Sequence, residues 1–326
     1  MGLKVIGFNP SARSAQSTLD MSIDAPIERR YSTIQRQNLN GQVVYVKQHR
    51  DARPDLPSGF TKQRLGAEIQ VLDEIAQLRE LRGRLGKLEL VCFDLANHEI
   101  TTKEVPGRSL EELVNMNGTT HNLNRALFLC GKWLRVFQTI SLNKLALVQL
   151  PGSPTDLVQY CRLRIQAIRE TGSKWPNSAE ESRLLNWIER GAKTANPVEA
   201  VLCHHDFGPF NILWDGTTIT PIDFTSCGSG HPFTDLSYLD HRLEMTGVES
   251  PWKRRGLRAI RSSLLRGFGV PNAYELPVYR VLVVKHALSR LKKYRLRPPK
   301  NILHGVHRRW CENRVIKIIQ RLTSRG

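Results

Sequence analysis

Apolar and polar residues alternate near the start of the chain in the pattern of an antiparallel hairpin. Residues 33–47 are rich in strand-forming side chains on both sides of Asn40-Gly41, a dipeptide that favours the positive φ angles of a tight hairpin turn. Apolar residues then recur at helical spacing, and two further extended stretches end at Pro106-Gly107. The elements predicted for this first third are two strands within 33–47, a helix over 62–80, and strands over 88–95 and 99–105.

Helical periodicity dominates from residue 108 onward. The predicted helices cover 109–116, 123–140, 155–170, 178 to about 191, 234–245, 252–267, 276–294 and 303–323, and a polar irregular stretch over 203–232 interrupts them. Ser178 and Glu181 have the spacing of a capping box at one helix start. The pattern predicts an α+β chain in which residues 1–107 form a small antiparallel sheet with one helix and residues 108–326 form a larger, mainly helical part.

Composition narrows the class of protein. Among the 326 residues, 40% are hydrophobic and 24% are charged, which is typical of a globular protein. No apolar run approaches the roughly 20 residues of a membrane-spanning helix, and the first residues lack the apolar core of a secretory signal, so we expect a cytoplasmic protein. The six cysteines are dispersed without a CxxC pair, and His231, His241 and His286 show no ligand spacing, so neither a disulfide framework nor a zinc site is expected.

The positive charge is concentrated at the end of the chain. The formal net charge is +18, and residues 251–326 hold 20 of the 48 Lys and Arg residues with only Glu275 and Glu312 as acidic residues, so this segment accounts for the whole excess. Basic clusters fall on the predicted helix 252–267 and on 290–300. They are consistent with a solvated cationic face or with recognition of an anionic partner, namely a phosphorylated or acidic substrate, an anionic membrane surface or a nucleic acid.

The polar stretch contains residues suited to phosphoryl transfer. Asp206 is followed five residues later by Asn211, and Asp223 comes after a short predicted hairpin. A carboxylate at the first position can accept the proton of an acceptor hydroxyl, while carboxylate and amide oxygens are ligands for Mg²⁺. We therefore predict Asp206 as the catalytic base and Asn211 and Asp223 as metal ligands.

The stretch resembles the aminoglycoside phosphotransferase and choline kinase-like family. That family's HGDxxxxN loop matches His204 to Asn211 with His205 in place of Gly, and its apolar-Asp-Phe metal motif matches Ile222-Asp223-Phe224. The resemblance implies a bilobal protein-kinase-like fold and an enzyme that uses ATP and Mg²⁺. It also implies that His204 packs beneath the loop and that Asp235 braces it, whereas His205 either faces the acceptor or fills space.

The same resemblance assigns nucleotide-binding residues in the first third. Lys47, at the end of the second hairpin strand, would contact the α- and β-phosphates, and Glu68 on the following helix would orient it. Taken alone, these two residues are equally consistent with a solvated strand end and an exposed helix position. The hinge before Gly107 would bind adenine through the carbonyl of Lys103 and the N–H of Val105, because Pro106 has no N–H.

One loop departs from the family pattern. The segment 28–33, which precedes the hairpin where the family cradles phosphate, contains no glycine. Arginine and hydroxyl side chains would then replace close backbone approach, or nucleotide affinity would be weak.

The sequence therefore predicts a small-molecule kinase that phosphorylates a hydroxyl of a small, anionic or sugar-containing acceptor. A protein kinase is disfavoured, because an Ala-Pro-Glu segment and a long activation loop are missing. The alternative from another class is a catalytically weak kinase-fold protein that binds nucleic acid or an anionic membrane through its basic C-terminal helices.

Overall fold

The computed structural model describes residues 24–29, 32–50, 59–116, 120–148, 156–194 and 198–324. The first part is an antiparallel sheet of five strands in the order β1-β2-β3-β5-β4. Its strands are β1 (Ile27–Glu28), β2 (Ser32–Leu39), β3 (Gln42–His49), β4 (Leu90–Asp94) and β5 (Glu99–Lys103). The hairpin predicted around Asn40-Gly41 is confirmed: both residues have positive φ angles, 52° and 78°, and Leu39 pairs with Gln42.

One helix, α1 (Phe60–Gln77), packs against this sheet. Its apolar face buries Leu65, Ile69, Leu72 and Ile75, which is the spacing that predicted the helix. Glu68 lies on the same buried side and is 3% exposed, so the helix places a carboxylate inside the protein. The exposed-helix interpretation of Glu68 is therefore wrong.

The remainder is mainly helical, as predicted. The helices are α2 (Leu110–Asn115), α3 (Thr120–Phe137), α4 (Leu157–Arg169), α5 (Ser178–Lys193), α6 (Thr234–Glu249), α7 (Arg254–Phe268), α8 (Pro277–Leu296) and α9 (Ile302–Thr323). The segment between α5 and α6 contributes to two small sheets: β8 (Ile212–Trp214) and β9 (Ile219–Pro221) form one together with β6 (Arg108–Ser109), which precedes α2, and β7 (Val201–Cys203) with β10 (Gly228–Gly230) forms the other. The predicted α+β architecture, a small antiparallel sheet with one helix followed by a larger helical part, is confirmed.

The capping box was predicted one residue too late. The N-cap of α5 is Asn177, whose Oδ1 accepts from the Glu180 N–H at 2.9 Å, while Glu180 Oε2 accepts from the Asn177 N–H at 2.9 Å. Ser178 and Glu181 have the same spacing, but Asn is as good a cap as Ser, and the helix starts at the earlier of the two pairs.

The basic helix α7 is anchored to α6 by a buried ion pair. Leu257, Ile260 and Leu264 are buried, as its amphipathic pattern predicts. Arg261 departs from the solvated cationic face, because its Nε donates to Oδ1 of Asp240 at 2.5 Å. Asp240 is fully buried and also accepts from the hydroxyls of Tyr274 and Tyr279, so this arginine belongs to the interior of the helical part.

Aromatic rings connect α3 to the segment that carries the predicted catalytic residues. Trp133 stacks on Phe137 and on Phe207, with ring centroids 4.9 and 5.7 Å apart, and Phe224 packs against both Trp133 and Phe137. All four rings are almost completely buried. The polar loops that contain Phe207 and Phe224 are therefore packed against a buried apolar cluster.

All six cysteines are free thiols and five are buried. Within the described ranges there is no group of three or more His, Cys, Asp or Glu residues placed to hold a metal ion. Across those ranges, too, no helix has the length and apolarity needed to cross a membrane.

Candidate active site

Two side chains, those of Asp235 and His204, fix the backbone of the loop from His204 to Asn211. The carboxylate of Asp235, at the start of α6, accepts from the backbone N–H of His204 at 2.6 Å and of His205 at 2.8 Å. The His204 ring is fully buried, with Nε2 3.0 Å from the carbonyl of Ile222 and Nδ1 accepting from the Asp206 N–H at 3.3 Å. These contacts match the bracing roles that the resemblance implied for both residues.

His205 occupies a backbone position that favours glycine. Its φ angle is 61°, in the left-handed region, which explains why a Gly is usual at this place in the motif. The imidazole Nε2 lies 3.2 Å from the carbonyl of Ser229, and the ring packs over Gly228 and Gly230, where a Cβ would come within 3.2 Å of ring atoms. The structure thus shows a contact of the His205 ring with strand β10.

Asp206 projects from the loop toward two hydrogen-bond donors. Its Oδ1 accepts from the hydroxyl of Tyr238 at 3.2 Å and its Oδ2 accepts from the amide of Asn211 at 3.1 Å. Burial raises the pKa of Asp206 and the Asp223 charge adds to this, which outweighs the lowering by His204 and by the two hydrogen bonds. The result is an oriented carboxylate with increased basicity, as a proton acceptor requires.

Asn211 and Asp223 are joined through the backbone. The N–H of Ile222 donates to the carbonyl of Asn211 at 2.9 Å, which places the residue after Ile222 beside the end of the loop. The Asn211 amide nitrogen is used by Asp206, so its side-chain oxygen is left for a ligand; Asp223 has a side chain 43% exposed and only Oδ1 in a hydrogen bond among the described residues. One carboxylate and one amide oxygen fit Mg²⁺, which takes few protein ligands and completes its shell with phosphate and water.

The side chain of Lys47, on strand β3, contacts Asp223, which follows the hairpin of β8 and β9. Its Nζ donates to Asp223 Oδ1 at 2.7 Å and lies 3.6 Å from Glu68 Oε1, and the lysine side chain is only 16% exposed. Burial lowers the pKa of Lys47, but Glu68 and Asp223 more than offset this, so the pKa is raised overall. The solvated-strand-end interpretation is therefore wrong, and the lysine is a fixed positive charge at the base of a cleft.

Glu68 is part of a small buried network. Thr225 lies 2.9 Å from Glu68 Oε2 and 2.8 Å from Asp223 Oδ1, and His49 Nε2 is 3.4 Å from Glu68 Oε2. Burial by itself raises the pKa of Glu68, but the neighbouring Lys47 and His49 outweigh it, and the pKa of Asp223 is likewise held well below its usual value by Lys47 and Thr225 against the effect of burial. Both carboxylates therefore remain ionised around the lysine.

The backbone N–H groups of the hinge residues 103–105 differ in their hydrogen bonds. The N–H of Lys103 donates to Glu89 and that of Glu104 donates to Val43, whereas the Val105 N–H makes no backbone hydrogen bond among the described residues. The Glu104 side chain is held by Arg36 at 2.8 Å. The prediction that Lys103 and Val105 present a carbonyl and an N–H to adenine is compatible with this arrangement and stays a prediction.

The junction after the hinge requires glycine. Gly107 has a φ angle of 113°, and a Cβ built there would lie 2.4 Å from the carbonyl oxygen of Trp214 in the catalytic hairpin. Strand β6 starts at the next residue and pairs with Trp214, so the hinge and the hairpin are in direct backbone contact.

The loop without glycine is partly outside the described residues, since Arg30 and Tyr31 fall there. Next to it, Glu28 pairs with Arg50, which also donates to the hydroxyl of Thr33 at 2.5 Å. These contacts tie strand β3 to both ends of the loop.

Sequence reasoning missed three residues of the site. Tyr238 binds Asp206, Thr225 bridges Glu68 and Asp223, and Arg64 on α1 donates to the carbonyl of Thr225 at 2.9 Å. Thr225 is two residues after Asp223, so the metal motif could have pointed to it. Tyr238 and Arg64 have no comparable signal, because only helix packing turns them toward the loop.

The comparison with family models decides the assignment. The model described as "Phosphotransferase enzyme family" matches residues 60–275. The chain belongs to this phosphotransferase family. The matched region includes Glu68, Asp206, Asn211 and Asp223, whereas Lys47 precedes it, and the chain is a small-molecule phosphotransferase. A search of curated proteins gave no significant match.

Solved structures share the fold of this phosphotransferase at low sequence identity, which confirms the predicted bilobal protein-kinase-like fold. A thermostable mutant of aminoglycoside phosphotransferase APH(4)-Ia, in a ternary complex with AMP-PNP and hygromycin B, is 16% identical with a TM-score of 0.61, over 95% of this chain and 96% of that one. A choline/ethanolamine kinase family protein from Mesorhizobium loti is 12% identical with a TM-score of 0.58, over 95% and 92%. Spectinomycin phosphotransferase APH(9)-Ia, with ADP and spectinomycin, is 16% identical with a TM-score of 0.53, over 93% and 92%.

Proposed function

We propose that this phosphotransferase is an ATP- and Mg²⁺-dependent kinase that transfers a phosphoryl group to a hydroxyl of a small acceptor. The observation that carries the proposal is the meeting of Lys47 and Asp223 at 2.7 Å, beside a loop on which Asp206 is held by Tyr238 and Asn211. A fixed cation, two oxygen ligands and a basic carboxylate are the parts that phosphoryl transfer uses. The nucleotide complexes of the aminoglycoside and spectinomycin phosphotransferases support ATP as the donor.

The two parts of the chain would have different roles in the reaction. Residues 1–107 would bind the nucleotide, with Lys103 and Val105 at adenine and Lys47, oriented by Glu68, at the phosphates. In residues 108–326, Asn211 and Asp223 would hold Mg²⁺, which neutralises charge on the transferring phosphate when bound. Asp206 accepts the proton of the acceptor hydroxyl, and its hydrogen bonds to Tyr238 and Asn211 keep the carboxylate in one orientation.

We further propose that the acceptor is anionic. Arg242 follows Tyr238 by one helical turn on α6 and lies over the ring of Phe210, in the loop that carries Asp206, at 5.6 Å from the ring centroid. Its guanidinium group would attract a phosphate or carboxylate group of an acceptor bound at Asp206.

The test of the proposed function is acceptor-dependent ADP release from a panel of small hydroxyl compounds. With an acceptor found in this way, Asp206→Asn is expected to lose about 10²–10⁴-fold in kcat. Asp156→Asn is the matched control, because Asp156 is the N-cap of α4 and Asn caps equally well. Full turnover by Asp206→Asn would show that another group accepts the proton.

A second candidate function has one specific observation in its favour. At the start of α9, Ile302, Leu303 and Val306 are 85%, 81% and 63% exposed, and Lys300 and Arg309 beside them are exposed cations. Apolar side chains surrounded by basic ones are typical of a helix that rests on an anionic membrane, which favours a membrane over a nucleic acid as the partner.

This second candidate is tested by sedimentation with vesicles. Binding to phosphatidylglycerol vesicles but not to phosphatidylcholine vesicles, lost in an Ile302→Ser, Leu303→Ser, Val306→Ser triple variant, would support it. Equal behaviour of the triple variant and the original chain would contradict it. Salt-sensitive binding to nucleic acid in place of vesicles would reverse the choice of partner.

A further inference from the structure

A cavity of about 110 Å³ opens beside the catalytic loop. It lies between Pro209, the residue three positions after Asp206, and helices α2, α6 and α8. Its polar lining includes Arg242, Glu249, Ser250 and Arg290. The proposed function gives this cavity no role so far, although it adjoins the loop on which the acceptor must bind.

The two arginines are placed to bind a further group. Arg242 is 21% exposed, lies 3.6 Å from Glu111 and covers the ring of Phe210 at 5.6 Å, and its Nε is buried without a hydrogen-bond partner. Arg290 is 15% exposed and pairs with Glu249, and its Nε is also buried without a partner. Both side chains line the cavity, where a guanidinium group can bind a phosphate or carboxylate through charge-assisted hydrogen bonds.

Helix α6 aligns the cavity with the catalytic base. Tyr238, Arg242 and Glu249 are spaced by four and seven residues, so they share one face of α6. Tyr238 holds Asp206, and Arg242 follows it by one turn, about 6 Å along the helix axis. A sugar-sized molecule can span this distance, with its hydroxyl at Asp206 and a charged substituent in the cavity.

Two arginines and two glutamates, Glu111 and Glu249, line the cavity, and further lysines lie next to them. Lys253 donates to the carbonyls of residues 114 and 115, which also line it, so its ammonium group is a further positive charge at the wall. Burial and the neighbouring Arg290, Arg297 and Arg242 lower the pKa of Lys293, whereas Glu249 opposes this. Cations that destabilise one another in this way gain from a bound anion.

We propose that Arg242 and Arg290 form an anion subsite of the acceptor pocket, which binds a phosphate or carboxylate group of the acceptor while its hydroxyl meets Asp206. The subsite rests on the proposed function and names its substrate class: hydroxyl compounds that already carry a compact negative group. The reaction that supplies such an acceptor is one that makes a sugar phosphate, a sugar acid or a similar anionic hydroxyl compound.

The test measures binding of inorganic phosphate and of acetate, in separate titrations, to the full chain saturated with Mg²⁺ and AMP-PNP. The nucleotide fills the site at Lys47, so the signal comes from other anion sites. Arg242→Gln is expected to weaken binding about tenfold or more, because it removes a charge-assisted hydrogen bond. Arg258→Gln, an equal loss of charge at an exposed position on α7, is expected to leave the affinity unchanged.

The outcomes separate the subsite from the proposed function. Stronger binding of phosphate than acetate assigns the phosphate class, and the reverse assigns the carboxylate class. Equal affinity in the original chain and in Arg242→Gln, or no binding of either anion, would overturn the subsite. Arg290→Gln is a second variant for the case in which thermal unfolding shows that Arg242→Gln does not fold. Failure to bind AMP-PNP contradicts the proposed function instead, and the dependence of phosphate binding on Arg242 can still be measured.

Discussion

The hydroxyl of Tyr238 donates a 3.2 Å hydrogen bond to Oδ1 of Asp206. The two residues come from different elements, the tyrosine from the first turns of α6 and the aspartate from the loop after β7. Asp235, at the start of the same helix, holds the backbone of that loop. Helix α6 therefore sets both the position of the loop and the orientation of the Asp206 carboxylate.

The pH dependence of turnover should reveal the Tyr238 contact. Burial raises the pKa of Asp206 and the tyrosine hydrogen bond lowers it, because it stabilises the ionised carboxylate. The acid limb of the kcat profile should thus lie above the ordinary aspartate pKa of about 4. In Tyr238→Phe it should move to still higher pH, with a smaller loss of kcat at alkaline pH than at neutral pH. An unchanged or downward-shifted acid limb would contradict the role of the hydrogen bond.

Asp206 and Asp223 should fail differently when each is replaced by alanine. Asp223 is the predicted metal ligand, so Asp223→Ala should abolish both turnover and binding of Mg²⁺-ATP. Asp206 is the proposed base for the acceptor hydroxyl, so Asp206→Ala should lower kcat by about 10²–10⁴-fold with nucleotide affinity nearly unchanged. Calorimetric titration with Mg²⁺-ATP separates the two variants. The opposite pattern of affinities would mean that the base and the metal ligand have been exchanged.

Stability should depend strongly on Asp240. Asp240→Asn leaves Arg261 without its main partner, which typically costs about 3 kcal/mol in the free energy of unfolding. The exposed pair of Glu189 and Lys193 is the control, because solvent screens it and Glu189→Gln should leave the free energy of unfolding almost unchanged. Both variants are measured by urea unfolding at neutral pH.

The Asp240 contribution should also have a defined pH range. Burial raises the pKa of Asp240, but Arg261 and the two tyrosine hydroxyls outweigh it and the pKa is lowered. A lowered carboxyl pKa stabilises the folded chain above the unfolded-state value of about 4, and the contribution disappears as the pH falls through the folded-state value. The difference between the original chain and Asp240→Asn should shrink below pH 4. A constant difference down to low pH would contradict this.

Gly107 should tolerate no side chain. Gly107→Ala combines a strained positive φ angle, at about 1–3 kcal/mol, with a clash against the Trp214 carbonyl. Gly216→Ala isolates the strain, because Gly216 has a φ angle of 104° in the same hairpin and open space around it. Thermal unfolding should show a larger loss for Gly107→Ala. Equal losses would mean that the hinge can move away from the hairpin.

Features of the fold that depend on local sequence pattern could be predicted from the sequence. The Asn40-Gly41 turn, the amphipathic face of α1 and the order of helices all follow from spacing, and the motif from His204 to Asp223 pointed to residues that the structure brings together. Contacts that depend on how helices pack were not predictable. Arg261 turns toward Asp240, and Tyr238 toward Asp206, because neighbouring helices fix their faces, and no spacing within one helix encodes that choice.

The ion pair between Lys47 and Asp223 joins residues 176 positions apart in the sequence. Closing so long a loop costs chain entropy, so contacts within the sheet and within the helices form more readily than this one during folding. The proposed phosphate-binding lysine therefore lacks its partner until the sheet has docked on the segment that carries Asp223. During refolding, recovery of nucleotide binding should follow the slowest phase.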